Sequence, residues 1–324
     1  MRSWKKMKTR IVKSTLVNLR LAARLIKSGE VVAFPTETIY GLGADAFNRE
    51  AVRKIFAAKG RPSDNPVIVH ISSFDMLKDV AIAPRGFEEI ARKFWPGPVT
   101  FILPKRELVP VEVTGGLDTV AVRMPDNKIT LKLIELSGVP IAAPSANTST
   151  RPSPTSVGHV LDDLDGKIPL VIDGGASKHG VESTVIRVDG RDAVVYRLGA
   201  LSLEDLEKVF SKVSFISKTD VARSPGVKYK HYAPSVPVVF VTGDAAKKIN
   251  AQLTSKAVVF CSKKLNVKCK QVVVLDSKVA ARKLFGFLRS SEKNFDLIFV
   301  CERPERGLGR TFNERARRAA SLII

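Results

Sequence analysis

A short stretch, residues 57–70 (AAKGRPSDNPVIVH), gathers side chains that are suited to bind an anion. If residues 49–59 form a helix, Lys59 lies in its last turn on the same face as the apolar residues. Arg61 and Asn65 each precede a proline, which biases their backbone toward extended conformations. The stretch therefore predicts a rigid turn that holds an ammonium, a guanidinium and an amide group near the start of a strand.

Two residues of this stretch also have interpretations that involve no ligand. Lys59 can extend its ammonium to water and complement the negative end of the helix dipole. His70 alternates with apolar residues on the predicted strand, where a histidine is more often a satisfied core residue than a ligand. Spacing alone leaves both alternatives open.

A second polar stretch, residues 34–46 (FPTETIYGLGADA), follows a predicted buried strand. Thr36, Glu37 and Thr38 stand just beyond the end of that strand, where α/β proteins bind ligands. Residues 41–46 formally fit the dinucleotide-binding pattern G-x-G-x-x-A, but six residues separate them from the strand, so we reject that motif. No G-K-[ST] triplet occurs in the chain, so no P-loop supports a phosphate site.

A third stretch, residues 143–155 (APSANTSTRPSPT), is a loop stiffened by prolines. Ser145, Asn147 and Ser153 supply short hydrogen-bond donors that could bind phosphate or carboxylate oxygens. Composition alone is equally typical of an ordinary loop.

These polar stretches are connected by strands that alternate with helices. The alternation predicts an α/β domain, with a mixed sheet because the last strands follow one another closely. Asn48 is placed to cap the helix that carries Lys59. The predicted strands are residues 31–34, 66–71, 99–103, 119–123, 140–143, 169–173, 183–188 and 193–198, and the predicted helices are 16–26, 49–59, 87–95 and 127–137.

After a loop with prolines near its end, residues 224–238 (SPGVKYKHYAPSVPV), the pattern begins again. Thr311 and Glu314 have capping-box spacing for a last helix from about Phe312. We therefore predict a small doubly wound, Rossmann-like α/β domain. Its predicted strands are residues 238–242, 257–261, 271–275 and 296–300, with a helix over 277–290.

The balance of charge is the unusual bulk property of the chain. Its 324 residues include 53 Lys and Arg against 32 Asp and Glu, a net charge of +21. Residues 239–324 carry 18 basic and 7 acidic side chains, a net +11, which supports a domain boundary near residue 238. Such a surface attracts nucleic acids and nucleotides, but proteins of hyperthermophiles are also rich in charged residues, so charge alone selects no partner.

Cysteine content and hydropathy exclude several classes of protein. Cys261, Cys269 and Cys301 are odd in number and form no C-x-x-C pair, so we expect free thiols in a reducing cytosol rather than disulfides or a zinc site. No stretch approaches the ~18 apolar residues that a membrane span needs. Three basic residues between positions 20 and 27 interrupt any signal-peptide core, which leaves a transit peptide as an alternative to a cytoplasmic protein.

Six motifs in one order resemble those of the YrdC-like family of threonylcarbamoyl-AMP synthases. SPGVKYKHYAP and the terminal GLGRTFNERARRAA resemble the linker and the C-terminal domain of its longer, two-domain branch. The likeness extends from about residue 16 to the end of the chain. The six motifs are KSGEVVAFPTETIYGLGADA, KGRPSDNPVIVHI, WPGPVTFIL, TVAVRMPD, PIAAPSANTSTRPSPT and ESTVI.

The resemblance implies a fold, a reaction and partners. It implies a YrdC-like catalytic domain (1–212) with a twisted mixed sheet, a linker (213–238) that folds over the active site, and a Rossmann-like domain (239–324). The implied reaction converts L-threonine, bicarbonate and ATP, with Mg²⁺ held mostly by ATP oxygens and water, to threonylcarbamoyl-AMP and pyrophosphate. A separate transferase complex would use the product to modify tRNA.

The motifs also imply roles for individual residues. Lys59 and Arg61 would act as catalytic cations, because the reaction joins a carbamate to a phosphate and needs charge neutralisation more than a nucleophile. No metal-ligating residues are implied. The positions that resemble the threonine site are Thr38, His70, Arg123, Ser183 and the backbone of Ala143. The positions that resemble the nucleotide site are Lys59, Arg61, Asn65, Thr119, Ser145, Asn147, Ser153 and Arg197, with His231 and Tyr232 in the lid.

Two other functions compete with this one. A double-stranded RNA-binding protein without catalysis would use the positive charge and the aromatic residues of KYKHY, but it would need exposed basic stripes rather than an inward Lys59. A carbamoyl-nucleotide enzyme of hydrogenase maturation would use a related domain, but such chains usually carry zinc-binding cysteine pairs.

Overall fold

The computed structural model describes residues 8–216, 231–253 and 256–324, and these form two β-sheets flanked by helices. The larger sheet comes from the first two-thirds of the chain and the smaller sheet from the last third. The prediction of a mixed α/β fold with a second, Rossmann-like sheet is confirmed.

The larger sheet mixes parallel and antiparallel neighbours. Its strands are β1 (Arg10–Lys13), β2 (Val32–Phe34), β3 (Gly41–Asp45), β4 (Ile68–His70), β5 (Val99–Pro104), β6 (Thr119–Arg123), β7 (Ile141–Ala142), β8 (Leu170–Asp173), β9 (Thr184–Asp189), β10 (Asp192–Arg197) and β11 (Lys212–Phe215). Their order in the sheet is β1-β8-β2-β3-β7-β4-β6-β5-β9-β10-β11.

Helices cover both faces of this sheet and bury its apolar side chains. The predicted cap of the second helix is confirmed, because the Asn48 side chain accepts a hydrogen bond from the Ala51 amide at 3.1 Å. Gly60 ends the same helix in the left-handed conformation that glycine adopts most easily. The helices of this part are α1 (Leu16–Lys27), α2 (Arg49–Lys59), α3 (Phe74–Val80), α4 (Phe87–Ala91), α5 (Val111–Thr114), α6 (Lys128–Ser137), α7 (Val157–Leu164) and α8 (Leu203–Glu207).

The middle of the sheet brings the three polar stretches together. Strands β4 and β6 are parallel and in register, so His70 and Arg123 lie side by side at their carboxyl ends. Strand β7 runs antiparallel to both β3 and β4, and Gly41 forms a bridge with Ser145 beyond its end. Because β7 is antiparallel to β4, the loops after β2 and β7 meet the turn that precedes β4. His70 and Arg123 reach the same place from the ends of their own strands.

Strand β3 explains why the glycine-rich GLGADA segment is not a nucleotide loop. It pairs antiparallel with β2. A Cβ at Gly43 would lie 2.5 Å from atoms of both Phe34 and Ile141, so the absence of a side chain is a packing requirement. The rejection of a dinucleotide fingerprint there agrees with this structure.

The smaller sheet is entirely parallel. Its strands are β12 (Val238–Val241), β13 (Ala257–Cys261), β14 (Lys270–Val273), β15 (Leu297–Cys301) and β16 (Leu322–Ile323). Their order is β14-β13-β15-β12-β16. The helices of this part are α9 (Ala245–Asn250), α10 (Ser277–Ser291) and α11 (Leu308–Ala319).

The predicted start of the last helix was wrong. Helix α11 begins at Leu308, with Gly307 as its N-cap, and Thr311 lies inside the helix. The Thr311 hydroxyl is buried and donates to the Gly199 carbonyl at 2.9 Å, so a tertiary contact replaces the expected cap.

Several elements were not predicted, among them β1, β3 and β11. Strand β11 pairs with β10, so the larger sheet continues three residues beyond the predicted domain limit at residue 212. The division at residues 212 and 238 itself stays a prediction. Most of the predicted linker, residues 217–230, lies outside the described residues.

Candidate active site

A cleft lies at the meeting point of these loops, and its walls include most of the predicted site residues. Asn65 and Thr119 are predicted site residues that do not line it. The predicted residues in its walls are Thr38, Lys59, Arg61, His70, Arg123, Ala143, Ser145, Asn147, Ser153, Ser183, Arg197, His231 and Tyr232.

Lys59 lies inside the protein, with 1% of its surface exposed. Its ammonium donates to the carbonyls of Ser145 and Asn147 and lies 3.4 Å from the Asn147 side-chain oxygen. Burial and the nearby Arg61 lower the pKa of Lys59 well below its usual value, whereas the three oxygen acceptors favour its charged form. The alternative in which Lys59 extends to water is thus wrong.

Arg61 lies on the other side of the same turn. Its guanidinium donates to the carbonyls of Asn65 and Pro66, at 3.4 and 3.0 Å. The stiff turn after α2 thus fixes this cation by its own backbone, as the two prolines indicated. Asn65 is buried and its carbonyl receives one of these bonds, so it adjoins the cleft without lining it.

Arg123 organises the opposite wall. Its guanidinium donates to the Thr38 hydroxyl at 2.9 Å and to the Gly97 carbonyl at 3.2 Å, and it forms an ion pair with Glu37 at 2.6 Å. Both charged residues are almost fully buried. Although burial opposes it, Arg123 holds the pKa of Glu37 below its usual value. Each of the three guanidinium nitrogens thus has a protein partner, but the guanidinium carries more N–H groups than these partners use, and the remaining ones can bind a ligand carboxylate.

His70 is neutral in this wall. Burial and the neighbouring charge of Arg123 lower the pKa of His70 to about 3. Its Nδ1 atom is buried and has no hydrogen-bond partner among the described residues. The ring lines the cleft, which is the position that a ligand-binding histidine requires.

Ser183 and Arg197 close one end of the cleft. Ser183 shares a 2.7 Å hydrogen bond with Thr100, and Arg197 donates to the Ser183 carbonyl at 3.0 Å. Ala143, opposite, uses its amide to bind the Ile68 carbonyl at 2.8 Å. These hydrogen bonds connect the strand ends that border the cleft.

The sequence did not identify Glu182 as a site residue, although it lines the cleft. Its carboxylate accepts a hydrogen bond from Ser153 at 2.6 Å and pairs with Arg315 at 2.9 Å. Against the effect of burial, the charges of Arg315 and Arg197 lower the pKa of Glu182 to about 2. Glu182 begins the quoted ESTVI motif, but its cationic partner is 133 residues away, so no local pattern indicates the pair.

His231 and Tyr232, the described residues from the predicted linker motif KYKHY, also line the cleft. Tyr232 has φ of 68°, a rare left-handed value for a residue with a side chain, and its ring stacks on Phe285 at 5.0 Å. Burial and Arg61 lower the pKa of His231 to about 4. The remaining residues of the motif, 228–230, lie outside the described residues.

Thr119 is a predicted site residue that does not line the cleft. It stands at the first position of β6, paired with Pro104, whereas Arg123 stands at the last position. Its predicted nucleotide contact stays a prediction.

Two searches over the described ranges concern other kinds of site. In residues 8–216, 231–253 and 256–324, no three His, Cys, Asp or Glu side chains gather as a metal site would require. No helix in those ranges combines the length and apolarity needed to cross a membrane.

Comparison with known proteins places this chain among close relatives. The family model Sua5_yciO_yrdC, described as "Telomere recombination", matches residues 24–199, and the model described as "Threonylcarbamoyl-AMP synthase, C-terminal domain" matches residues 201–321. The threonylcarbamoyl-AMP synthase of Pyrococcus abyssi is 47% identical, over 94% of this chain and 95% of the relative, and that of Bacillus subtilis is 40% identical, over 92% of each.

The fold agrees with these matches. The crystal structure of P. abyssi Sua5 complexed with L-threonine has a TM-score of 0.90 and 44% identity, covering 97% of this chain and 99% of that chain. Family models and relatives over nearly the whole length lead to one conclusion: the chain belongs to the threonylcarbamoyl-AMP synthase family.

Proposed function

We propose that the cleft is an active site that makes threonylcarbamoyl-AMP and pyrophosphate from L-threonine, bicarbonate and ATP. One observation supports this above all: the buried Lys59 and the half-buried Arg61, held at a rigid turn, share a cleft with the Arg123 wall. The positive charges of Lys59 and Arg61 suit a triphosphate, and the wall built on Arg123 suits the carboxylate of an amino acid. The protein is therefore an enzyme of the nucleotidyltransferase type.

The chemistry has two steps. The threonine amine attacks the carbon of bicarbonate and, with loss of water, gives a carbamate. A carbamate oxygen then attacks the α-phosphorus of ATP, the bond from that phosphorus to the bridging oxygen breaks, and pyrophosphate leaves. Because both reactants are anions, positioning and charge neutralisation dominate the catalysis.

Lys59 and Arg61 are the groups that we assign to charge neutralisation. The Lys59 ammonium also orders the loop that carries Ser145 and Asn147, whose hydrogen-bonding groups would contact the nucleotide. Arg61 and Arg197 line the same cleft and add positive charge at its edge. Fixed charges of this kind cost little reorganisation when the transition state forms.

The opposite wall is proposed to hold threonine. The N–H groups of Arg123 that its protein partners leave over would bind the substrate carboxylate, and the hydroxyls of Thr38 and Ser183 would fix its orientation. His70 would contact the substrate through the part of its ring that lines the cleft. Because this imidazole is neutral at pH 7, it adds no charge that competes with Arg123.

His231 and Tyr232 are proposed to act as a lid. They come from the C-terminal end of the predicted linker and line the same cleft as Lys59 and Arg61. Excluding water protects a carbamate and strengthens the interactions of the buried charges.

Mg²⁺ would enter as part of the ATP substrate. The carboxylates in or beside the cleft, Glu37 and Glu182, are engaged with Arg123 and Arg315. Phosphate oxygens and water are therefore the expected ligands of the ion, which supplies charge neutralisation.

The wider setting follows from the product. A reactive acyl adenylate must be passed to an acceptor, and we propose a tRNA threonylcarbamoyl transferase complex as its consumer in the cytoplasm. Direct contact with tRNA stays a prediction that rests on the net charge of +21. RNA binding without catalysis is disfavoured as the whole function, because the cations of the cleft are buried or held by backbone carbonyls rather than arranged in exposed stripes.

One assay tests the proposed function. Purified protein is incubated with Mg·ATP, bicarbonate and labelled threonine, and pyrophosphate release is followed together with the labelled adenylate. We expect release to require both threonine and bicarbonate. Equal rates with serine or glycine, or release without bicarbonate, would contradict the proposal.

A further inference from the structure

A segment of the nucleotide-facing loop, residues 150–153, is held by contacts with the predicted linker, with Glu182 and with the C-terminal part of the chain. The Thr150 carbonyl accepts a hydrogen bond from the Ala233 amide at 2.9 Å. The Arg151 guanidinium pairs with Glu292, which follows helix α10. These contacts fix the position of the loop relative to the residues that bind it.

Arg289 of helix α10 binds the next residue of the loop. Its guanidinium donates to the Pro152 carbonyl, at 3.0 Å from Nε, and pairs with Asp163 at 2.7 Å. Only 1% of each charged side chain is exposed. Asp163 also pairs with Arg151 at 2.9 Å, so one buried carboxylate joins two arginines from the two sides of this contact.

Arg315 of helix α11 reaches three separate parts of the cleft with one guanidinium. Its Nε pairs with Glu182 at 2.9 Å, and Glu182 holds the Ser153 hydroxyl. Its Nη2 donates to the Leu198 carbonyl at 2.7 Å, directly after the last residue of β10. The guanidinium carbon lies 5.3 Å from the centre of the Tyr232 ring.

A buried charge of this kind calls for an explanation other than stability. Arg315 is fully buried, and removing a guanidinium from water costs free energy that ion pairs often fail to recover. Because the guanidinium is planar and rigid, its contacts with a carboxylate, a carbonyl and an aromatic ring hold these three groups in fixed positions relative to one another. Apart from an ion pair with the adjacent Glu314, the contacts of Arg315 described above lead to cleft residues or their immediate neighbours.

We infer that Arg315, supported by Arg289, is a positioning residue for the nucleotide side of the cleft. The two arginines hold Ser153 through its carbonyl neighbour and its hydroxyl partner, and Arg315 ties that loop to the end of β10 and to the lid. The C-terminal part therefore completes the nucleotide site without contributing a substrate contact. This inference rests on the proposed function for its choice of nucleotide.

The inference predicts an asymmetry between the two substrates. None of the Arg315 contacts described above reaches the wall built on Arg123, Thr38 and His70. Loosening Arg315 should therefore weaken the binding of nucleotide much more than that of threonine, a split that general destabilisation would not produce.

Arg315→Lys is the test, because it keeps the charge and removes the fork. At a temperature where circular dichroism shows the variant folded, we expect the KM for ATP to rise about tenfold or more, and the KM for threonine to change less than about twofold. Titration calorimetry with α,β-methylene-ATP should give a matching loss of affinity and needs no turnover. Arg317→Lys is the control, since Arg317 lies in the same helix and pairs with the half-exposed Glu302.

Glu182→Gln provides a second variant if Arg315→Lys does not fold. It keeps an acceptor for Ser153 and removes the ion pair, so it should show the same asymmetry. Unchanged affinity for the nucleotide analogue in the folded variant, or equal losses for ATP and threonine, would overturn the inference. A wild-type protein that binds the analogue but releases no pyrophosphate would instead overturn the proposed function, and the calorimetric comparison would still decide the role of Arg315.

Discussion

The ammonium of Lys59 is surrounded by three oxygen atoms rather than by water. Lys59→Met keeps the length of the side chain and removes its charge and its donors. We expect kcat to fall about 10²- to 10³-fold, because a fixed cation and the loop that it orders are lost together. Pyrophosphate release measures the effect.

Lys54→Met is the matched control for this prediction. Lys54 belongs to the same helix, but its ammonium is exposed and pairs with Glu30 at 2.7 Å. Its loss should leave kcat within about twofold of the wild type, as expected for an exposed pair. Similar losses in the two variants would refute the role of Lys59.

The ion pair of Glu37 and Arg123 supports a second prediction. Glu37→Gln leaves the Arg123 charge buried without a counter-ion, and breaking such a pair typically destabilises a protein by about 3–5 kcal/mol. Urea unfolding should show a loss of this size. Glu135→Gln breaks an exposed pair with Lys132 and should lower the free energy of unfolding by about 0.5 kcal/mol or less. Equal losses of stability in the two variants would contradict the prediction that Arg123 needs Glu37 as a buried counter-ion.

Local spacing predicted some of these residues and could not predict others. Helical periodicity put Lys59 on the apolar face but left its extension to water open, and the structure shows it buried. Arg61 was expected in a stiff turn because Pro62 follows it directly and Pro66 follows Asn65. Glu182 and Arg315 meet across 133 residues, and no periodicity carries information over that separation.

At the scale of elements, the hairpin of β9 and β10 carries Ser183 and Arg197 toward the cleft. Gly190 in its turn and Gly199 just after β10 have different structural roles. A Cβ at Gly199 would lie 2.3 Å from the Glu182 carbonyl oxygen and the Ser183 carbonyl carbon. Gly190 lies in the turn at φ of 57°, with open space around it.

Gly199→Ala should therefore separate the end of β10 from the start of β9. We expect a loss of activity of at least tenfold and a marked fall in the midpoint of thermal unfolding, because backbone atoms must move. Gly190→Ala should cost only about 1 kcal/mol, from its left-handed backbone, and should keep its activity. Equal effects of the two changes on activity would contradict this account of the hairpin.

The elements themselves were predicted where apolar runs are strong. Strands such as TVAVR and AVVFC were placed at their observed bounds, because a buried strand needs a continuous run of β-branched and aromatic residues. Strand β3 was missed because GLGAD has low strand propensity, and the need for glycine at position 43 comes from Phe34 and Ile141, which are distant in the sequence. The capping box at Thr311 failed because its hydroxyl serves a tertiary contact.

At the scale of the whole molecule, all four histidines have pKa values below the usual one in the folded state. Burial is the largest cause at each. The pKa falls to about 3 for His70 and to about 4 for His159 and His231. The unfolded chain therefore binds more protons than the folded protein when the pH falls below about 6.5.

Stability should accordingly rise with pH between about 5 and 7. We expect the free energy of unfolding to fall by about 1 kcal/mol for each of His70, His159 and His231 when the pH drops from 7 to 5.5. Urea unfolding at several pH values measures this, and His70→Gln should remove roughly one proton from the dependence. A free energy that stays flat across this window would contradict the neutral state of these side chains.

The ion pairs of Asp163 with Arg289 and of Glu182 with Arg315 have one partner before residue 212 and the other after residue 238. A chimera that joined this N-terminal part to a foreign C-terminal part would leave Glu182 without Arg315 and Asp163 with Arg151 alone, unless the graft carried arginines at the same places. The two halves are consequently not interchangeable modules. A substitution at one residue of such a pair constrains its partner in the other half, so the two halves must change together during evolution.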